Sequence, residues 1–186
     1  MILDDLSAVC AILRREKLHY IVVGGAALER RFPIGTADID LVIAVGEFAS
    51  LPGRLARIPG VRAIEPLGTI IGCEILVETH WTDVEFINPR LFSGKRSAQD
   101  FVRYVSRFRS DRTEVGRVAR PEIVWYMRLA TRDWVVYGQK ILRDVRAGVP
   151  PTVLETVLEV AGHLGNREVL EPRVERVREL LELRQR

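Results

Sequence analysis

The chain of 186 residues has few of the side chains that bind zinc or form disulfides. It contains two cysteines, Cys10 and Cys73, and three histidines that are scattered along the sequence. Neither cysteine has a partner at metal-ligand spacing, so both are interpreted as small buried hydrophobic residues. Because a protein zinc site needs three or four such ligands close together, this scarcity argues against zinc.

Long apolar runs are also missing. No run approaches the roughly 20 residues that cross a bilayer, and the N-terminal residues MILDDLSAVC are acidic and amphipathic, unlike a signal peptide. We therefore expect a cytoplasmic protein that does not act on a membrane. No third glycine completes a dinucleotide fingerprint, and no Gly-Lys-[Ser/Thr] string marks a Walker A loop.

Lysine is scarce, and arginine carries almost all of the positive charge. The chain has 28 basic and 25 acidic residues, a formal net charge of +3, and only three of the basic residues are lysines. Arginine suits planar recognition of phosphate, but so small a net charge permits nucleic-acid binding without demanding it. The arginine-rich segment 103–112 could follow an RNA backbone, and a solvated helix face explains it equally well.

The pattern of apolar residues predicts a mixed α/β protein. Helix and strand signals alternate in the first half of the chain, and the signals from Pro121 onward are helical throughout. The predicted fold class is α/β (α+β), with a small mixed sheet flanked by helices and followed by a helical C-terminal region. The length suits one large domain or two small ones. We expect a catalytic α/β core over residues 1–92 and a mainly helical region over residues 93–186.

Two aspartates interrupt an otherwise apolar strand. Asp38 and Asp40 are spaced i, i+2, so their side chains project from the same face of a strand. Two like charges on a core strand repel each other and resist desolvation, and a divalent cation removes both penalties. Asp38 and Asp40 are therefore candidate metal ligands, and Gly24-Gly25, which precede a predicted helix, form a candidate phosphate-binding turn.

A later strand offers a third acid. The string WTDVEFIN carries Asp83 and Glu85, again spaced i, i+2 on one face. Nucleotidyl transfer uses two Mg²⁺ ions about 3.5 to 4 Å apart, which clamp the attacking and leaving oxygens. Mg²⁺ prefers oxygen ligands, so a few convergent carboxylates are required. Either Asp83 or Glu85 can supply the third carboxylate.

The spacing Gly-Gly-x12-Asp-x-Asp, followed by an acidic strand, resembles the polymerase-β-like nucleotidyltransferase superfamily. The strings VVGGAAL, TADIDLVI, VEFINP and PEIVWYMRLA resemble small prokaryotic nucleotidyltransferases of the AbiEii-type and MenT-type toxins, over roughly residues 18–145. The resemblance implies a nucleotidyltransferase fold. It also implies a Mg²⁺-dependent transfer of a nucleoside monophosphate from an NTP, with Mn²⁺ as a possible substitute and pyrophosphate as the leaving group.

The resemblance also implies roles for single residues. Gly24, Gly25, Thr36 and Arg128 would bind the nucleotide, while Asp38 and Asp40 would bind the metals. The string VEFINP places Glu85 at the position of the third acid, which favours Glu85 over Asp83. The sequence departs from the family pattern in two places, at Ile34, where relatives often carry arginine, and at Arg128, where relatives tend to carry lysine. Asp144 is expected to orient Arg128 or Lys140 through a salt bridge.

The acceptor of the nucleotide stays open at this point. The family resemblance favours a macromolecule, tRNA or a protein, and a toxin that a cognate antitoxin restrains. A small hydroxylated molecule such as an aminoglycoside is an alternative acceptor that requires the same acids. A third reading is a non-catalytic module of the same fold that binds a nucleotide or a partner chain, although the presence of all three acids argues against it.

Overall fold

A single seven-stranded mixed sheet forms the centre of the protein. The computed structural model describes residues 2–183, and the strand order is β3-β4-β5-β2-β1-β7-β6. The strands are β1 (Tyr20–Val23), β2 (Ile39–Ile43), β3 (Val61–Leu67), β4 (Ile70–Val77), β5 (His80–Ile87), β6 (Ser110–Thr113) and β7 (Gly116–Ala119). Two pairs are parallel, β2 with β5 and β1 with β7, and the remaining neighbours are antiparallel.

Helices cover this sheet and fill the C-terminal part of the chain, which confirms the predicted mixed α/β class. They are α1 (Ile2–Arg15), α2 (Gly24–Glu29), α3 (Val45–Phe48), α4 (Leu51–Leu55), α5 (Ala98–Phe108), α6 (Pro121–Ala130), α7 (Trp134–Arg146), α8 (Val153–Leu164) and α9 (Arg167–Leu183), with a short 3-10 helix at Pro89–Leu91. Within residues 2–183, every helix is too short or too polar to cross a membrane.

The helical segment after β2 consists of two short helices. The chain breaks between α3 and α4, and Pro52 lies in the first turn of α4. A proline at this position costs no hydrogen bond, because the first N–H groups of a helix have no partner within it. Proline therefore marks the start of the second helix here.

The second half of the chain returns to the sheet before it becomes helical. The hairpin β6–β7 pairs with β1 through β7, with Ile21 opposite Arg117. Strands from both sides of residue 92 therefore belong to one sheet. The division into regions 1–92 and 93–186 stays a prediction, while the helical character of residues 121–183 is confirmed.

Helix α6 carries the largest buried aromatic residues. Trp125 and Tyr126 are both fully buried, so these two aromatic side chains fill the core. The Tyr126 hydroxyl donates to the Phe92 carbonyl oxygen at 2.7 Å and accepts from the Asn166 side-chain amide at 2.9 Å. One buried hydroxyl thus joins α6 to the chain after β5 and to the turn between α8 and α9.

Replacing Tyr126→Phe tests this connection. The substitution leaves two buried polar groups without their partner, so we expect the free energy of unfolding to fall by about 1 to 3 kcal/mol. Equilibrium unfolding in urea measures the change, with Tyr137→Phe as the matched control. The Tyr137 hydroxyl makes no hydrogen bond within residues 2–183, and an equal loss in both variants would contradict the assignment.

Candidate active site

The register of the central strands brings the predicted acids together. Strand β2 runs parallel to β5 with Asp40 directly opposite Glu85. On its other side β2 runs antiparallel to β1, with Asp40 opposite Val23, the last residue before the glycine turn. Because side chains alternate along a strand, Asp40 and Glu85 project from the same face of the sheet. The turn at Gly24 lies beside them.

A cleft of about 220 Å³ opens over this part of the sheet. Seven of the eight predicted site residues line it, and they are Gly24, Gly25, Thr36, Asp38, Asp40, Glu85 and Arg128. The eighth, Asp83, lies outside the cleft, in a neighbouring shallow depression that shares Asp38 and Glu85 with it. The cleft ends in an apolar part formed by Ile70, Ile87, Leu91, Phe92, Val124 and Met127.

The two glycines of the turn pack so closely against the side chains of Asp40 and Thr36 that no other residue fits there. Gly24 has a φ of +62°, and a Cβ atom at this residue would lie 1.7 Å from Oδ2 of Asp40. A Cβ atom at Gly25 would lie 2.4 Å from Oγ1 of Thr36. Only glycine permits both the left-handed conformation and this approach. The backbone of the turn therefore forms one wall of the space around the Asp40 carboxylate.

The three carboxylates of the cleft repel one another. Burial and the nearby charges of Glu85 and Asp38 raise the pKa of Asp40 to about 6. Burial and the charge of Asp38 likewise raise the pKa of Glu85. Within residues 2–183, neither carboxylate takes part in a hydrogen bond or an ion pair with another side chain. Repulsion among the three carboxylates favours the binding of a proton or a cation between them.

Cations face the carboxylates from helices α6 and α7. Arg128, Lys140 and Arg143 line the cleft, and the charges of Lys140 and Arg128 partly offset the rise in the pKa of Asp40. The Lys140 ammonium lies 5.1 Å from the centre of the Tyr137 ring. Burial and the nearby carboxylates also raise the pKa of Tyr137. The cleft thus has an acidic wall on the sheet and a basic wall on the helices.

The sequence patterns did not place Tyr137, Lys140 or Arg143 in the cleft. The spacing of Tyr137, Lys140 and Asp144 is i, i+3, i+7, which puts all three on one side of α7. That side faces α6 and the cleft. This shared helix face is the signal that could have identified Tyr137 and Lys140.

A buried ion pair supports the basic wall. Arg128 donates to Oδ2 of Asp144, and the same oxygen accepts from Nε1 of Trp125 at 2.9 Å. Asp144 is fully buried, and Arg128 is 7% exposed. The predicted salt bridge to Asp144 is therefore confirmed for Arg128. Separating the two partners would leave an uncompensated charge in the interior. The ion pair therefore holds the Arg128 guanidinium at the cleft.

The donor atoms for a metal ion are present but do not already surround one point. Within residues 2–183, no group of three or more His, Cys, Asp or Glu side chains is positioned to hold a metal ion. The cleft acids nevertheless offer the hard oxygen ligands that Mg²⁺ prefers. Asp38 and Glu85 are exposed, so rotation of their side chains can bring their oxygens toward Asp40. The donor set therefore fits Mg²⁺ in its chemistry.

Replacing Gly24→Ala tests the close packing of the turn. We expect a loss of at least about 3 kcal/mol in the free energy of unfolding, because the new methyl group overlaps Asp40 in addition to the backbone strain. Gly35→Ala is the matched control, since Gly35 also has a positive φ but a Cβ atom there meets nothing within 4 Å. The control should lose only about 1 kcal/mol, and losses of equal size would show that the contact with Asp40 is unimportant.

Replacing Asp40→Asn tests the repulsion within the metal-free protein. The folded-state pKa of about 6 lies above the roughly 3.9 of an unfolded aspartate. The folded protein therefore binds more protons between these values, and Asp40 destabilises it increasingly as the pH rises toward about 6. At about pH 8 the variant should be more stable by roughly 3 kcal/mol, and at about pH 4 the difference should largely vanish.

Chemical denaturation in EDTA at both pH values measures this difference. Asp83→Asn serves as the control, because Asp83 is exposed on the same strand but outside the cleft, and its change should stay within about 0.5 kcal/mol. A stability gain for Asp40→Asn that is independent of pH would contradict the proposed repulsion.

Comparisons with known proteins give little independent identification. No protein-family model matches the sequence, and no curated protein matches it either. Among solved structures, the chain is similar to an antigenic nucleotidyltransferase-like protein from Paracoccidioides brasiliensis. The identity is 16%, the match covers 91% of this chain and 92% of that chain, and the TM-score is 0.47. At this identity and TM-score, the similarity assigns neither a family nor an activity to the chain.

Proposed function

We propose that this protein is a Mg²⁺-dependent nucleotidyltransferase, which transfers a nucleoside monophosphate from an NTP to an acceptor and releases pyrophosphate. The observation that carries the proposal is the pairing of the two walls of the cleft. Asp38, Asp40 and Glu85 face Arg128, Lys140 and Arg143 across one opening. An NTP with its metal presents both signs of charge at once, and it matches a cleft with one acidic and one basic wall.

The carboxylates of the cleft would bind the metal ion in this reaction. Asp38, Asp40 and Glu85 would hold Mg²⁺, or Mn²⁺ in its place, and the ion would neutralise the charge that develops on the reacting phosphoryl group. Glu85 is the third acid in this proposal because it lies directly opposite Asp40 and lines the cleft. Asp83 lies two residues earlier on the same strand. It is outside the cleft and lines the shallow depression instead.

The remaining cleft residues bind and orient the nucleotide. Arg128 and Lys140 attract the triphosphate oxygens, and the ion pair with Asp144 keeps the Arg128 guanidinium in place. The backbone of Gly24 and Gly25 packs directly against the side chains of Asp40 and Thr36, and its N–H groups would contact the phosphates. In the reaction, an acceptor hydroxyl oxygen bonds to the α-phosphorus and loses its proton, while the bond from that phosphorus to the β-phosphate oxygen breaks.

We infer a macromolecular acceptor, tRNA or a protein, from the resemblance of VVGGAAL, TADIDLVI and VEFINP to the AbiEii-type and MenT-type enzymes. The same resemblance supports a role as the toxin of a toxin–antitoxin pair, with a cognate antitoxin as a partner. A small cationic acceptor is a second candidate. It is favoured by the shallow depression next to the cleft, whose lining includes Glu65, Glu74 and Asp83, since acidic side chains suit an aminoglycoside-like molecule.

Label transfer from each α-³²P NTP tests the function. Purified protein with Mg²⁺ is given total tRNA, cell lysate or aminoglycosides as acceptors, beside the variants Asp40→Asn, Glu85→Gln and Asp83→Asn. We expect Asp40→Asn to abolish transfer, Glu85→Gln to reduce it by about 100-fold or more, and Asp83→Asn to retain it within about tenfold. Full activity of Asp40→Asn would disprove the metal assignment.

Binding of the metal has a readout that does not depend on the acceptor. Mg²⁺ should raise the thermal unfolding midpoint of the unmodified protein, because a ligand that binds only the folded state stabilises it. The rise should be largely lost in Asp40→Asn and kept in Asp83→Asn. NTP binding that is independent of Mg²⁺, together with no transfer to any acceptor, would instead identify a non-catalytic binding module.

A further inference from the structure

Positive charge is concentrated in one short part of the chain. Residues 90–120 contain nine arginine and lysine residues but only three acids, whereas acids outnumber basic residues over the rest of the chain. This segment forms the end of the 3-10 helix, helix α5 and the hairpin β6–β7. Residues 61–85, which form the opposite end of the sheet, have five acids and one arginine. The two ends of the sheet therefore carry opposite charge.

Two arginines at the basic end face each other directly. Arg112 on the edge strand β6 pairs with Arg117 on β7, and both are exposed. Like charges directly opposite each other on antiparallel strands destabilise the pairing. Within residues 2–183, neither guanidinium forms an ion pair, and Arg117 donates instead to the Ser106 carbonyl oxygen of α5. An anion between the two side chains would offset their repulsion.

A groove of about 290 Å³ lies beside this arginine pair, between α5 and the sheet. Its floor is apolar and consists of Leu18, Ile21, Val42, Ala44 and Val102. Arg14, His19 and Arg117 stand at its rim. Apolar surface beneath arginines suits a nucleotide, whose base packs on the floor while its phosphate contacts the guanidinium groups.

The groove and the catalytic cleft lie on the same face of the sheet. Ile21 and Val42 are opposite each other and line the groove, while Val23 and Asp40 are opposite each other and line the cleft. Each pair is two residues apart along β1 and β2, which corresponds to about 7 Å. A chain-like ligand with one end at the Asp40 carboxylate can therefore place a neighbouring unit over the groove.

We propose that the groove and the Arg112–Arg117 pair, together the basic groove, bind a nucleic-acid strand that serves as the acceptor. This inference rests on the proposed nucleotidyl transfer. The acidic end of the sheet repels the same strand, so the charge distribution orients it toward β6 and β7. RNA and DNA share the sugar-phosphate chemistry that the basic groove recognises, and the experiment below separates them.

The substitution Arg112→Glu gives a test in which stability and binding change in opposite directions. It replaces a repelling pair by an opposite-charge pair across β6 and β7, so the thermal unfolding midpoint should be equal or higher. Binding of a nucleic-acid strand should nevertheless weaken by about tenfold or more at low salt. Arg57→Glu is the matched control. Arg57 is exposed near the opposite end of the sheet, and its replacement changes the net charge by the same amount.

Fluorescence anisotropy with labelled RNA and DNA strands of one sequence, about 16 nucleotides long, measures binding from about 50 to 200 mM salt. We expect the slope of log affinity against log salt to fall by about one to two for Arg112→Glu. Little change is expected for Arg57→Glu. Filling the groove with Ser106→Trp should also weaken binding without any change of charge. The strand that binds more tightly identifies the acceptor as RNA or DNA.

Two results would overturn the inference. One is equal weakening by Arg112→Glu and Arg57→Glu, which would show only the effect of net charge. The other is displacement of the strand by an equal charge concentration of poly-glutamate, which would indicate an acidic protein as the partner. The Asp40→Asn variant should still bind the strand although it transfers no label. Strand binding by the unmodified protein without label transfer to any acceptor would refute the proposed function alone. Transfer to a small molecule without strand binding would refute this inference alone.

Discussion

The parallel pairing of β2 with β5 is the constraint on which the site depends. These strands are far apart in the sequence, and their register places Asp40 opposite Glu85 at the centre of the sheet. The cost is electrostatic, since burial and repulsion raise the pKa values of both carboxyl groups. The glycine turn after β1 adds a steric constraint, because it leaves no space for a side chain beside the Asp40 carboxylate. Close packing and repulsion thus meet at the Asp40 carboxylate.

The helical part of the chain completes the cleft that the sheet begins. Helix α6 packs into the core through Trp125 and Tyr126, and it carries Arg128 at the edge of that core. Asp144 on α7 is fully buried and fixes the Arg128 guanidinium, with Trp125 as its second donor. Burying this pair is expensive unless both charges are satisfied. The same contacts that hold α6 and α7 together thus present a basic wall to the acids on the sheet.

Charge is also distributed along the sheet as a whole. Acids predominate on β3, β4 and β5, and arginines predominate on β6, β7 and α5, although the net charge of the chain is only +3. A net charge so near zero conceals this separation. The proposed basic groove rests on the arrangement of the charges, with Arg112 directly opposite Arg117. The cleft that contains Asp40 and Glu85 lies between the two ends.

The sequence by itself determined the mixed α/β class, the strand pattern around the glycine turn and the set of acids, because strand alternation and apolar periodicity are local properties. Strand alternation could not choose between Asp83 and Glu85, since both lie on one face of one strand, and only the family resemblance favoured Glu85. Only the tertiary structure decided that Glu85 lines the cleft and that Tyr137, Lys140 and Arg143 face it from α7. The tertiary structure also decided that acidic and basic residues lie at opposite ends of the sheet. Pairing register and helix packing join residues distant in the chain, and local sequence patterns do not specify such contacts.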